Sequence, residues 1–194
     1  MACADSLLTV VILAGGKGSR LGGQDKGLLE WRDRPLIEHV LQNIESVTRN
    51  VLINANQNIE IYQQYGYPVV SDERPDFAGP LAGMLAALRS ADTPYILTLP
   101  CDAPLTSADI VEQFCDAHEE KQQMLYVAGT ADGLQPVYAM INKALADNLQ
   151  QYLADGNRKV RDWMIANHAV VVDFDQLAPA FVNINTESDL QSIC

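Results

Sequence analysis

An apolar run, Leu8-Thr9-Val10-Val11-Ile12-Leu13, passes without a break into a stretch with five glycines in nine positions, Gly15 to Gly23. The run reads as a buried strand. The glycines free the backbone to adopt φ > 0 and to lie close against a ligand. With no side chains to screen them, the N–H groups of such a loop can ring an anion. Lys17, Arg20 and Lys26 add positive charge from the same stretch, in a chain whose formal net charge is -12. Three cations gathered among glycines in so acidic a chain point to a polyphosphate.

The alternation that starts there continues. Val51-Leu52-Ile53, Pro68-Val69-Val70 and Tyr95 to Leu99 are further strand-like runs. Between them Leu36, Val40, Ile44 and Val47 keep helical spacing, with Pro35 suited to a first helical position, and Leu81, Leu85 and Leu88 do the same beside Met84. Strands alternating with helices imply βαβ units and a mostly parallel sheet. The second half is expected to hold a helix from Ala108 to His118 with Ser107 as its cap, then strands from Met124 to Gly129 and Pro136 to Ile141 around an Asp132-Gly133 turn. Helical stretches near Lys143 to Leu153 and Val160 to Asn167 follow, then strands at Ala169 to Phe174 and Ala180 to Ile184, and a closing helix from Thr186. No repeat, low-complexity segment or linker divides the 194 residues, so a single domain is expected, and 48% hydrophobic residues suffice for its core.

The acidity argues against general nucleic-acid binding, which needs a basic face. Cys3, Cys101, Cys115 and Cys194 match neither a zinc pattern nor a disulfide framework, as expected of reduced thiols in the cytoplasm. The N-terminus carries Asp5 and no basic segment, unlike a signal peptide, and no apolar run approaches the ~20 residues of a membrane span. His39, His118 and His168 show no metal spacing and read as surface or helix-filling residues; Cys101 reads as a small buried residue rather than a nucleophile. A G-x-x-x-x-G-K-[ST] phosphate loop is absent. A dinucleotide fingerprint is imperfect: Gly22 falls one residue late after Gly16-Lys17-Gly18, and the second strand ends in Asn54 rather than an acid.

In open parallel sheets, ligands sit beyond the carboxyl ends of the strands. Each of the first four strands here ends in a polar or glycine signal: the glycine loop, Asn54-Ala55-Asn56, Ser71-Asp72 and Pro100-Cys101-Asp102. Each alone is compatible with turn chemistry; four on one rim read as a binding site. Asp102 is a candidate Mg²⁺ ligand, or a turn or capping residue. Asp72 has the same two readings. Asn54, with a donor and an acceptor, suits a ribose or base edge, or a turn. Gly79 and Gly83, in a segment that opens a helix, allow close approach of a flat base or close helix packing.

The run Leu13 to Leu28, Leu-Ala-Gly-Gly-x-x-x-Arg-[hydrophobic]-Gly-Gly-x-Asp-Lys-Gly-Leu, resembles the signature of molybdenum cofactor guanylyltransferases. The likeness extends through Asn54-Ala55-Asn56, Gly79 to Gly83, Pro100-Cys101-Asp102 and Phe181 to Thr186, nearly the whole chain, with Leu21 standing where many relatives have Met. It implies a three-layer α/β/α, Rossmann-like nucleotidyltransferase fold of the nucleotide-diphospho-sugar transferase type. Residues 1–103 would form its nucleotide half and 104–194 its molybdopterin half. It further implies a Mg²⁺-dependent reaction in which the terminal phosphate of molybdopterin, with or without molybdenum, attacks the α-phosphorus of GTP and pyrophosphate leaves. By resemblance Leu13, Ala14, Gly15, Gly16, Lys26, Asn54, Asp72, Gly79, Gly83 and Asp102 contact the nucleotide, Asp102 also holds the metal, and Arg20 clamps phosphate; Arg20, Lys26 and Asp102 are the catalytic set. Transient contacts with acceptor molybdoenzymes and cofactor-biosynthesis proteins are implied, and neither nucleic acid nor membrane.

For the second substrate, Pro136 lies in a segment resembling the family's pterin side. Asn183 and Asn185 alternate along the expected last strand, which turns both amides to one face, suited to a pterin's donor and acceptor edges. Arg158, Lys159 and Arg161 form a basic cluster that meets a substrate phosphate or is a solvated helix face. A cytidylyltransferase on the same cofactor, a sugar-phosphate nucleotidylyltransferase and a non-catalytic nucleotide-binding adaptor are the competing readings.

Overall fold

Continuous apolar runs and 3.6-residue periodicity become a seven-stranded sheet with helices on both faces in the computed structural model, which describes residues 6–15, 25–72, 79–184 and 189. The chain runs β1 (Leu8–Leu13), a 3₁₀ turn η1 (Lys26–Leu28), a ribbon of β2 (Glu30–Trp31) and β3 (Arg34–Pro35), α1 (Leu36–Ile44), β4 (Val51–Asn54), α2 (Ile59–Gln63), β5 (Val69–Val70), α3 (Pro80–Ser90) and β6 (Tyr95–Pro100). It continues through α4 (Ala108–Lys121), β7 (Leu125–Thr130), β8 (Gly133–Asn142), η2 (Lys143–Leu145), α5 (Ala146–Ala154), α6 (Val160–Ala166), β9 (Val170–Asp173) and η3 (Asp175–Phe181). The strand order is β5-β4-β1-β6-β8-β7-β9. All strands of this sheet run one way except β8, which is antiparallel to both β6 and β7.

Alternation along β1 divides the core into two layers. Leu8, Val10 and Ile12 pack with Ile37, Val40 and Ile44 of α1 and Ile110, Val111 and Phe114 of α4. Val11 faces the other way, into Leu81, Leu85 and Leu88 of α3, Leu149 and Leu153 of α5, and Trp163 of α6. A strand apolar on both faces is what burial between two helix layers demands. β6 joins the two halves of the sheet directly, pairing β1 on one side and β8 on the other. Among the described residues no helix is long and apolar enough to cross a membrane.

Three local expectations change. Ser107 precedes α4, but its Oγ donates to Asp109 Oδ2 (3.1 Å) instead of capping a backbone N–H. The β7–β8 hairpin closes on Ala131 and Asp132, one residue earlier than expected, with Gly133 at φ 115° as the first residue of β8. Along β8, Ala139 pairs with Val127 and Gln135 with Ala128, so Pro136, Val137 and Tyr138 bulge out; Pro136, lacking an N–H, is tolerated in such a bulge.

The expected strand from Ala180 to Ile184 does not form. Residues Asp175–Phe181 make two short 3₁₀ turns that meet at a kink at Leu177, the second containing Pro179, and 182–184 are irregular. Pro179 removes a ladder donor. Phe181 packs instead on Tyr138 and Phe174, ring centroids 4.4 and 5.4 Å away. A short apolar run can serve as a plug as well as a strand, and periodicity does not distinguish them. The strand alternation that was to align Asn183 with Asn185 is therefore lost. Asn185 and most of the helix expected from Thr186 lie outside the described residues.

Candidate nucleotide site

β5, β4, β1 and β6 are adjacent and parallel, and their register brings their carboxyl ends level. Leu13 pairs with Asn54 on one side and Pro100 on the other, and Asn54 pairs with Val70. The next residues, Ala14-Gly15, Ala55-Asn56, Ser71-Asp72 and Cys101-Asp102, therefore leave the sheet along one rim. Gly16, Lys17 and Arg20 of the expected phosphate loop lie outside the described residues.

On the β4–β5 side an amide–carboxylate network shapes the rim. Asn54 is 2% exposed. Its Nδ2 donates to Asp72 Oδ1 (3.0 Å) and to Val70 O (3.3 Å). Asn56 Nδ2 donates to Asp72 Oδ2 (2.8 Å) and to Gly15 O (3.2 Å), and Asp72 N donates back to Asn56 Oδ1 (2.9 Å). Both oxygens of Asp72 are thus held by amides, and the root of the glycine loop is tied to the ends of β4 and β5. Gly79 precedes α3 and Gly83 lies within it. A Cβ on Gly83 would stand 2.3 Å from Asn54 Oδ1 and 3.0 Å from Leu13 Cδ2, so only glycine lets α3 lie this close to the rim.

On the β6 side Lys26 Nζ lies 3.0 Å from Asp102 Oδ2, and the two side chains are 24% and 14% exposed. Asp102 follows β6, and its carbonyl accepts a hydrogen bond from Ile184 N (2.8 Å), which draws the C-terminal segment beside the rim. Cys101 is buried; burial first, then the negative charges of Asp102 and Asp25, push its thiol well above the usual range. A thiol held protonated is no nucleophile. Among the described residues no group of three or more His, Cys, Asp or Glu side chains could hold a metal by themselves.

The sequence singled out Lys26, Asn54, Asp72 and Asp102, and the fold gathers them on the rim. The sequence places Asn56 in the polar end of the second strand without giving it a role, and Tyr62, which has no local signal, is not singled out. The pterin-side candidates are more scattered. Pro136 sits on the β8 bulge, where Thr98 Oγ1 donates to Val137 O (2.5 Å). Arg158 Nη1 donates to Leu153 O (2.8 Å) and Asn157 O (2.6 Å), closing the turn after α5. Lys159 makes an exposed ion pair with Asp162 at 3.7 Å. Arg161 lines a shallow cleft of about 370 Å³ with Thr130, Leu134, Val171, Asp173 and Asp175.

A mostly parallel sheet with helices on both faces, its first strand followed in the sequence by a glycine-rich stretch, is a framework that nucleotidyltransferases share. The profile of the MobA-like NTP transferase domain matches residues 10–170, and the chain belongs to that family. It is 45% identical over 188 residues to a molybdenum cofactor guanylyltransferase of Cupriavidus metallidurans, spanning 94% of this chain and 92% of that one. It is 40% identical to one from Shewanella loihica, spanning 96% and 95%. The crystal structure of molybdopterin-guanine dinucleotide biosynthesis protein A from Archaeoglobus fulgidus superposes with a TM-score of 0.79 at 24% identity, covering 95% of each chain, and shares the fold.

Proposed function

We propose that the protein transfers GMP from GTP to the terminal phosphate of molybdopterin, forming the guanine dinucleotide and releasing pyrophosphate. The observation that carries this reading is the Lys26–Asp102 pair at the end of β6, on the same rim as the Asn54–Asp72 network and the root of the glycine loop. Both reactants are polyanions, so the protein must chiefly align them and offset charge; no covalent nucleophile is required. Leu13, Ala14 and Gly15 lead the chain into the loop, whose N–H groups and Arg20 are assigned to the triphosphate. Lys26 stabilises charge developing between the α-phosphoryl group and the departing pyrophosphate. Asn54 and Asp72, with Gly79 and Gly83 beside them, are assigned to the nucleoside.

Mg²⁺ suits Asp102. This ion is commonly held by one or two carboxylates plus substrate phosphates and waters, and Asp102, whose carboxylate meets the Lys26 ammonium, fits that donor set better than Asp72, whose two oxygens are both held by amides. When bound it supplies positive charge to the phosphates. Lys26 already lies against Asp102 Oδ2, so its ammonium is poised to pass from carboxylate to phosphate as nucleotide enters.

The second substrate is assigned to the β8–β7–β9 side. β7 is parallel to β6, and the pairings Thr98–Ala139 and Val127–Ala139 set Val127 level with Thr98. Gly129 is therefore level with Pro100, so β7 and β6 end on the same side of the sheet, two strand spacings or about 10 Å apart. Pro136, Arg158, Asn183, Asn185 and the Arg161 cleft are assigned to the second substrate. The test is mass analysis of the product from GTP, Mg²⁺ and molybdopterin, with CTP, ATP and UTP in parallel. The expected product is the guanine dinucleotide with pyrophosphate; a strong preference for CTP, or no pyrophosphate release, contradicts the proposal.

A further inference from the structure

Asp25 stands one residue before Lys26, and three donors converge on its carboxylate. Gly27 N (3.2 Å) and Tyr62 Oη (2.6 Å) donate to Oδ1, and Asn58 Nδ2 (3.0 Å) donates to Oδ2. The first of these caps the 3₁₀ turn that carries Lys26. The other two come from the cap and the body of α2, Asn58 and Tyr62, 33 and 37 residues further along the chain. Tyr62 is wholly buried, so its hydroxyl is a fixed point. Gly27 rests directly on it: a Cβ there would stand 2.6 Å from Tyr62 Oη and 3.3 Å from Cys101 Sγ. The turn is thus clamped between Tyr62 and Cys101, and Cys101 is the chain neighbour of Asp102. Asp25 and Asp102 are two acids on either side of one turn with different partners. Three protein donors occupy the first, whereas the second meets the Lys26 ammonium.

We infer that Asp25 and Tyr62 are positioning residues for the transfer reaction: through the turn they clamp, they hold the Lys26 ammonium beside Asp102, where nucleotide phosphate is to arrive. The inference rests on the nucleotide site proposed above. Neither residue is assigned a contact with substrate. Their effect is alignment, and a misplacement of about 1 Å can cost on the order of a hundredfold in rate. The 2.6 Å bond from phenol to carboxylate is short and directional, as a charge-assisted bond is.

Tyr62→Phe tests this, because it removes one hydroxyl and keeps the ring. We expect it to lower kcat by about tenfold to a hundredfold, with KM for molybdopterin unchanged, and Asp25→Asn to do the same. In a Lys26→Ala background Tyr62→Phe should have no further effect on kcat or on the affinity for a non-hydrolysable GTP analogue, since the group it acts through is gone. A merely structural role would lower the melting temperature and multiply the loss equally in both backgrounds. The same loss with and without Lys26, or no loss in either, overturns the inference. Normal turnover in Tyr62→Phe beside a crippled Lys26→Ala leaves the site standing and removes only the clamp. Normal turnover in Lys26→Ala removes the site assignment and the clamp together.

Discussion

Asn54 has to be an amide. It is buried, it donates to Asp72 and to the Val70 carbonyl, and its oxygen faces the backbone of Gly83. The isosteric change Asn54→Asp removes both donations and sets a second carboxylate against Asp72, a like-charge pair in a shielded place. We expect it to weaken GTP binding by at least about tenfold, an energy comparable to one lost buried hydrogen bond; calorimetry showing unchanged affinity would contradict the nucleoside assignment. Asp102→Ala and Lys26→Ala are each expected to lower turnover by about a hundredfold or more with the fold retained. Circular dichroism beside the pyrophosphate-release assay separates that result from unfolding. Asn54 and Asp102 were legible in the sequence because each is a polar signal at the end of an apolar run, and Lys26 because it adds charge to the glycine-rich stretch. Asn58 and Tyr62 were not, because their importance comes from a crossover that brings α2 back against η1, and no local pattern records that meeting.

At the scale of elements, strands and helices with a continuous period were readable, and the segments that serve neither period were not. β1, β4 and β6 are apolar on both faces and α1 and α3 keep their spacing, so type and place were evident. The segment from Asp175 to Ile184 carries apolar residues that read as strand, yet it closes the core as a 3₁₀ plug. Phe181 is 7% exposed and sits between Tyr138 and Phe174. Phe181→Ala should therefore cost about 3–5 kcal/mol, read as a lower denaturant midpoint. It should also loosen Asn183, which lies two residues beyond, and raise KM for molybdopterin more than KM for GTP. Equal rises in both would argue that this segment does not serve the second substrate. The bulge at Pro136 was equally hidden: a proline within a strand pattern marks an interruption but not its size.

Across the whole molecule, one sheet joins the two halves, and the parallel order β5-β4-β1-β6 explains why four separated polar signals converge. The mostly parallel architecture was readable from the alternation of periods; the strand order was not, because crossovers leave no periodic trace. The same burial sets the response to pH. Tyr62, Tyr138 and Cys101 are each raised above their ordinary ranges, chiefly by desolvation. Above about pH 8.5 for a thiol and about pH 10 for a phenol, the unfolded chain loses protons that the folded chain keeps. Fewer protons bound in the unfolded state make the slope of stability against pH negative, so the contribution is whole below pH 8.5 and is lost as pH rises. Urea titrations at pH 7, 9 and 10.5 should show falling stability, and iodoacetamide should spare Cys101 in the native protein at pH 8.5. A flat stability profile would contradict this burial.

The central claim is that the glycine-rich stretch after β1, Lys26 and Asp102 grip the triphosphate while Asn54 and Asp72 face the nucleoside. A crystal soaked with GTP and Mn²⁺ as an anomalous stand-in for Mg²⁺ tests it most directly. We predict an anomalous peak at the Asp102 carboxylate, phosphate oxygens within hydrogen-bond reach of Lys26 Nζ and the loop amides, and the base beside Asn54. Nucleotide density elsewhere, with Lys26 still paired to a metal-free Asp102, would contradict it.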